Sequence, residues 1–279
     1  MRRDTQDFRN FYASLITANT GAPDTDRLRR AFASTPREKF LGKGPWKVFT
    51  SAGYIETPSE DPAFLYQDIL FVLQQKGSIN NGQPSLHAAC LAALNIQEGE
   101  EIVHIGAGTG YYTAILSKLT GPGGPVHAYE IEPALAERAA RNLSDLPNVT
   151  VYSRSGSEGE LPPCDVIYVN AGATAPLAGW LDALRPGGRL LFPLTGTQGG
   201  GCMLLVARTS SSDIFKAEFL RRVMFIGCAG ARDEETAERL SEVFKLRDDL
   251  ETVRSLRRNA PPDETCWFSG ADWWLSIRL

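Results

Sequence analysis

The hydrophobic and polar positions of this 279-residue chain change rhythm twice. Near the amino end the spacing is helical. Residues 6–20 and 25–35 predict two helices, the second with Leu28, Ala31 and Phe32 on one face behind Asp24 or Thr25 as a cap. Residues 43–63, rich in Gly, Pro and Ser, predict irregular structure, and a further helix is expected from Pro84 to Leu94. From there short apolar runs alternate with helical segments. "EIVHIG" (101–106), "PVHAYEI" (125–131), "NVTVY" (148–152), "DVIYVN" (165–170) and "RLLFPL" (189–194) read as strands. Between them, Tyr112, Ile115, Leu116 and Leu119 share a helix face. Leu135, Ala139 and Leu143 follow Pro133, which suits a first helical turn. Leu177, Trp180, Leu181 and Leu184 form a helix closed by "RPGG". This alternation implies a parallel sheet covered by helices on both faces.

After residue 194 the pattern shifts again. "TGTQGGG" (195–201) predicts a glycine-rich hairpin leading into "CMLLVAR". Residues 215–226 have strand character, 233–244 read as a helix with an acidic start, and 272–279 alternate like a terminal strand. Trp267, Trp273 and Trp274 either pack that strand or form a contact surface. Nothing in composition marks a linker. The expectation is one α/β domain over 1–279, Rossmann-like, with a mostly parallel central sheet. It comprises an N-terminal helical cap on the substrate side (1–95), a core (96–210) and a C-terminal α+β extension (211–279).

Composition narrows the function classes. With 29 basic and 33 acidic residues the net charge is −4, which weighs against a nucleic-acid partner. Five scattered cysteines and three histidines make a disulfide scaffold or a metal site unexpected. The start "MRRDTQDF" has no apolar core of a signal peptide, and no apolar run is long enough to cross a bilayer. A soluble cytoplasmic protein without membrane association is the expectation.

The chemistry concentrates in "VHIGAGTGYYTAIL", which follows a strand and opens a helix. Gly106, Gly108 and Gly110 let the backbone turn sharply, with Ala107 between them, and approach a ligand with no side chain in the way. The next strand ends in Glu130, followed by Ile131, where a carboxylate accepts both hydroxyls of a ribose. A dinucleotide fingerprint would put its third glycine at Tyr111, where a tyrosine would crowd both helix and pyrophosphate. The Gly-x-Gly-x-Gly spacing with Glu130 instead fits S-adenosyl-L-methionine (SAM), which has no phosphate. Asn170, ending the fourth strand, falls at the carboxyl edge where open α/β sheets bind ligands.

This ordered set resembles the Class I SAM-dependent methyltransferases and, more narrowly, the protein-L-isoaspartate O-methyltransferase family, over residues 25–208. "AFASTPREKFL" resembles that family's opening, a helix before Pro-Arg-Glu-x-Phe, and Tyr66 and Asp68 of "LYQD" fit its Tyr-x-Asp. The resemblance implies a SAM-dependent methyltransferase fold, SAM as cofactor and a protein or peptide carboxylate as acceptor, with a monomer usual for the family. It also places "SINNGQPSLHAA" (78–89). The family has Ile-Ser-x-Pro there, its serine lining the site where carboxylate meets methyl group. Here Gly82-Gln83-Pro84 stand instead, and Asn81, Gly82, Gln83 and Ser85 become the candidates on the acceptor side. A helix-entry turn capped by Asn81 or Ser85 is the competing reading. The family's Gly-Asp-Gly after the third strand corresponds to "RSGSEG", with Ser155 at the aspartate beside the adenine and Gly156 following.

Methyl transfer from a sulfonium is a direct displacement. A carboxylate acceptor, with a reference pKa of about 4, is already ionised and requires no general base. Alignment and fixed donors would supply the catalysis. An alcohol or amine acceptor would want a base such as His87, which otherwise reads as a packed helix residue. Two other readings stand beside this one. One is a methyltransferase acting on an aspartate in a biosynthetic peptide or on a small metabolite. The other is a non-catalytic SAM-binding or interaction protein.

Overall fold

The computed structural model describes residues 5–18, 20, 25–50, 52–74 and 79–279. Asp24, one of the two caps considered above, and Ser78 lie outside the described residues. The chain divides into two compact units, one of residues 1–100 and 107–154, the other of 101–106 and 155–279.

The first unit opens with α1 (Thr5–Thr17), α2 (Thr25–Ala33) and α3 (Arg37–Leu41). Leu28, Ala31 and Phe32 are all buried, as their spacing requires. The stretch from 43 to 63 is not irregular throughout. β1 (Lys47–Thr50) and β2 (Gly53–Glu56) form an antiparallel hairpin. Alternation does not reveal it because Phe49, Tyr54 and Ile55 are exposed while Val48 is buried, so apolar residues occupy both faces. β3 (Val72–Gln74) and β4 (Ile79–Asn80) pair antiparallel and lead into α4 (Pro84–Leu94). Pro84 takes the first turn of α4, and Asn95 closes the helix in the left-handed conformation.

β5 (Ile102–Ile105) belongs to the second unit. The chain then returns to the first through α5 (Tyr111–Thr120), β6 (Val126–Tyr129), α6 (Pro133–Asn142) and β7 (Val149–Tyr152). β6 and β7 are parallel, with Val126 opposite Val149. Every residue of α5 except Lys118 is buried, so this is a core helix rather than a one-sided surface helix.

The second unit continues with β8 (Cys164–Val169), α7 (Ala178–Ala183), β9 (Leu184–Thr195), β10 (Gly200–Arg208), β11 (Ile214–Met224), α8 (Glu234–Leu246), β12 (Ser255–Arg258), β13 (Cys266–Ser269) and β14 (Trp273–Ser276). Its strand order is β13-β14-β12-β11-β10-β9-β8-β5. β5, β8 and β9 run parallel, and every pair from β9 outward is antiparallel. The reversal is the predicted hairpin, which pairs Thr195 with Gly201. The "RPGG" segment does not close α7. It lies within β9 as an irregularity, where Leu184 faces Cys164 and Arg189 faces Val166. Trp267, Trp273 and Trp274 are all buried, which corrects the reading of them as an exposed contact surface. β14 lies between β12 and β13 with all four residues buried, so adjacent tryptophans find cover on opposite faces. Among the described residues no helix is long and apolar enough to cross a membrane.

Candidate active site

In the first unit the glycine loop and the acid expected to serve a ribose come together. The Glu130 side chain is buried, its Oε2 accepting from Gly108 N at 2.6 Å and its Oε1 from Glu132 N at 2.9 Å. Burial raises the Glu130 pKa above the ordinary carboxylate value, and the two amides act against that rise. Gly108 and Gly110 both hold positive φ, +57° and +93°. A Cβ on Gly110 would approach Leu143 Cδ1 to 2.7 Å, so the loop needs glycine there for packing as well as conformation. Ala107 is buried and donates its N–H to Tyr129 O, whereas Ile131 is exposed beyond the acid. Tyr111 packs against Phe32 and Phe40, with ring centroids 6.4 and 5.5 Å away, and fills the space a third glycine would leave.

The acceptor-side candidates also gather in this unit, but most of their polar atoms hold the loop itself. Asn81 Oδ1 accepts from Phe71 N at 2.7 Å, and Asn80 Oδ1 accepts from Gly82 N at 2.9 Å. Gln83 Nε2, Ser85 N and Ser85 Oγ all donate to the Asp68 carboxylate, at 3.0, 2.8 and 2.6 Å. Asp68 thereby caps α4 from a distance. Gln83 at the N-cap makes no side-chain cap bond, and neither Asn81 nor Ser85 takes that role. Gly82 has φ +69°, and a Cβ there would sit inside the His87 imidazole, against Nε2. His87 is buried and stacks on Tyr112 with centroids 3.7 Å apart. An imidazole therefore fills the volume that a side chain at position 82 would need. The glycine sends no signal of this in the sequence.

Two residues quoted only for resemblance prove to be linked. The buried Arg37 guanidinium donates from Nη1 to Leu65 O and Gln67 O at 2.6 and 2.8 Å, just before Asp68. "PREKF" thus positions the acid that positions α4.

In the second unit, Gly106 (φ +79°) lies against Asn170, whose carbonyl carbon would be 3.4 Å from a Cβ at position 106. Asn170 N donates to Ile105 O, continuing the parallel ladder one residue beyond β8. Gly156 passes so close over β5 that a Cβ would reach Ile105 Cγ1 at 2.7 Å, and its carbonyl accepts from Trp180 Nε1. Ser155 Oγ lies 2.6 Å from Ser157 Oγ and accepts from Ser157 N.

Comparison with known proteins decides the family. The model of the family Protein-L-isoaspartate(D-aspartate) O-methyltransferase (PCMT) matches residues 14–233. The chain belongs to this family. A protein-L-isoaspartate O-methyltransferase of Brucella anthropi is 33% identical over 214 residues, covering 75% of this chain and 88% of that protein. The Roseiflexus sp. enzyme of the same name is 29% identical, covering 77% of this chain and 89% of its own length. A solved protein-L-isoaspartate O-methyltransferase superposes with a TM-score of 0.66 at 26% identity, covering 86% of this chain and 71% of that one. A Plasmodium falciparum structure in complex with S-adenosyl-L-homocysteine, at 16% identity and TM-score 0.63, shares the fold over 80% of this chain and 98% of its own. As a PCMT family member the protein is a SAM-dependent O-methyltransferase, and its cofactor is S-adenosyl-L-methionine.

Proposed function

We propose that this protein methylates the free carboxylate of isoaspartyl residues in proteins or peptides, with Glu130 holding the ribose of SAM and the Gly106–Gly110 loop cradling its nucleoside. The observation that carries this reading is the Glu130 carboxylate, buried and fixed by two amides, one of them from the glycine loop itself. The loop fits a nucleoside without phosphate, because Tyr111 packs where a dinucleotide site would need a third glycine. Gly156 and Ser155 serve the adenine side in this reading, and Asn170 the cofactor at the sheet edge.

The cofactor, when bound, supplies an electrophilic methyl group on sulfur. The chain's own work is to bind, align and desolvate. With the acceptor already ionised, no side chain has to remove a proton. Residues 81–85 form a wall held rigid by Asp68, so the acceptor meets a preorganised surface. The imidazole over Gly82 favours a second acceptor class, an aspartate of a biosynthetic peptide or a small metabolite, since this wall differs from the family's serine.

Isoaspartyl peptide, aspartyl peptide and labelled SAM test both acceptors. The expected result is methyl ester on the isoaspartyl peptide and none with Glu130→Ala. No ester above that control would overturn the isoaspartyl acceptor, and ester on the aspartyl peptide alone would support the second class.

A further inference from the structure

Asn170 carries an unexplained atom. Its Oδ1 is buried and has no hydrogen-bond partner. A buried carbonyl oxygen without a donor is costly, and such atoms are rare unless a ligand or water completes them. The rest of the side chain is tightly specified. Nδ2 is assigned toward His104 Nε2, 2.7 Å away, so the amide donates and the imidazole accepts. His104 is fully buried on β5, stacked on Tyr168 with centroids 5.6 Å apart and planes 11° from parallel. Burial drives its pKa down to about 3, so the ring stays neutral and keeps a lone pair for the amide. The Asn170 backbone lies against Gly106, the first glycine of the loop.

We propose that His104 is a positioning residue that turns the Asn170 amide so that Oδ1 accepts a hydrogen bond from the α-ammonium of the bound cofactor. This rests on the cofactor reading above. SAM offers three kinds of donor: two ribose hydroxyls, the adenine amine and the ammonium. Glu130 is assigned to the hydroxyls and the Ser155 segment to the adenine, which leaves the ammonium for the orphan oxygen. The ammonium is also the donor that gains most from a buried acceptor, since charge-assisted hydrogen bonds are the stronger class. A donating group in place of Oδ1 would repel it.

Calorimetry with two ligands tests this. S-adenosyl-L-homocysteine carries the ammonium, and 5′-methylthioadenosine keeps the nucleoside but lacks the amino-acid part. Asn170→Ala should weaken S-adenosyl-L-homocysteine roughly tenfold or more and leave 5′-methylthioadenosine unchanged. Asn170→Asp, which keeps an acceptor, should retain binding. His104→Phe, which keeps an aromatic ring beside Tyr168 but cannot hold the amide, should lose the same selectivity, and His104→Gln should restore part of it. Thermal unfolding of each variant checks that it is folded. Equal weakening of both ligands, or none, would overturn the proposal and make Oδ1 a water site. Loss of binding in Asn170→Asp with binding kept in Asn170→Ala would show a donor facing the ligand and overturn it too. Wild-type protein that binds neither ligand would instead sink the cofactor reading itself.

Discussion

At the scale of single residues, glycines here do two different jobs. Gly108 is a conformational glycine whose N–H reaches Glu130. Gly82 is a steric one, because the His87 imidazole already occupies the place of its missing side chain. Gly82→Ser would restore the family's letter, yet it adds atoms to a filled space at a positive φ. The expected cost is about 1–3 kcal/mol of overpacking, read as a lowered denaturation midpoint. His87→Ala in the same chain should recover part of it by vacating the space. The sequence displays the Ser-to-Gly change plainly. That an imidazole five residues later had moved into the gap depends on how α4 winds back over its own entry loop, which no local pattern reports.

At the scale of elements, α4 is held by a relay. Arg37 grips the carbonyls before Asp68, and Asp68 accepts the first-turn donor Ser85 N together with two side-chain donors. A carboxylate at a helix amino-terminus also meets the favourable end of the helix dipole. Asp68→Ala should therefore cost roughly 1–2 kcal/mol, the range of a lost N-cap, measured as a shift in urea midpoint at constant slope. The helix itself was legible from Pro84 and the apolar run, and so were the alternating strands and helices from 101 to 194. The β1–β2 hairpin was not, because apolar side chains lie on both of its faces. Nor was the start of β9, where Pro and two glycines signal a turn and the chain instead bulges within a strand.

At the scale of the whole molecule, the C-terminal extension is part of the second unit's sheet and also grips the loop after β8. Arg232 donates from Nη1 to Gly172 O and Thr195 Oγ1, and from Nη2 to Gly196 O, at 3.0, 2.9 and 2.6 Å. Gly172 N donates to Ile226 O, and Thr174 N to Ala231 O. The segment from 226 to 233 thus straps the loop that begins at Asn170. Arg232→Ala leaves several buried acceptors without their donor. It is expected to lower stability by about 1–3 kcal/mol and to weaken S-adenosyl-L-homocysteine binding, checked by thermal unfolding and calorimetry. Unchanged affinity would separate the strap from the site.

The sequence by itself determined the α/β class, the glycine loop, its acidic partner and the family, because these are written in short-range order: period, spacing and turn chemistry along a few tens of residues. Only the tertiary structure decided that the amides of the 80–85 loop are spent on Asp68 and the backbone, that His87 fills the space at Gly82, and that His104 turns Asn170. Those outcomes depend on which buried polar atoms find partners across long sequence separations. That is a competition for hydrogen bonds and volume, and it is settled only when the chain has packed.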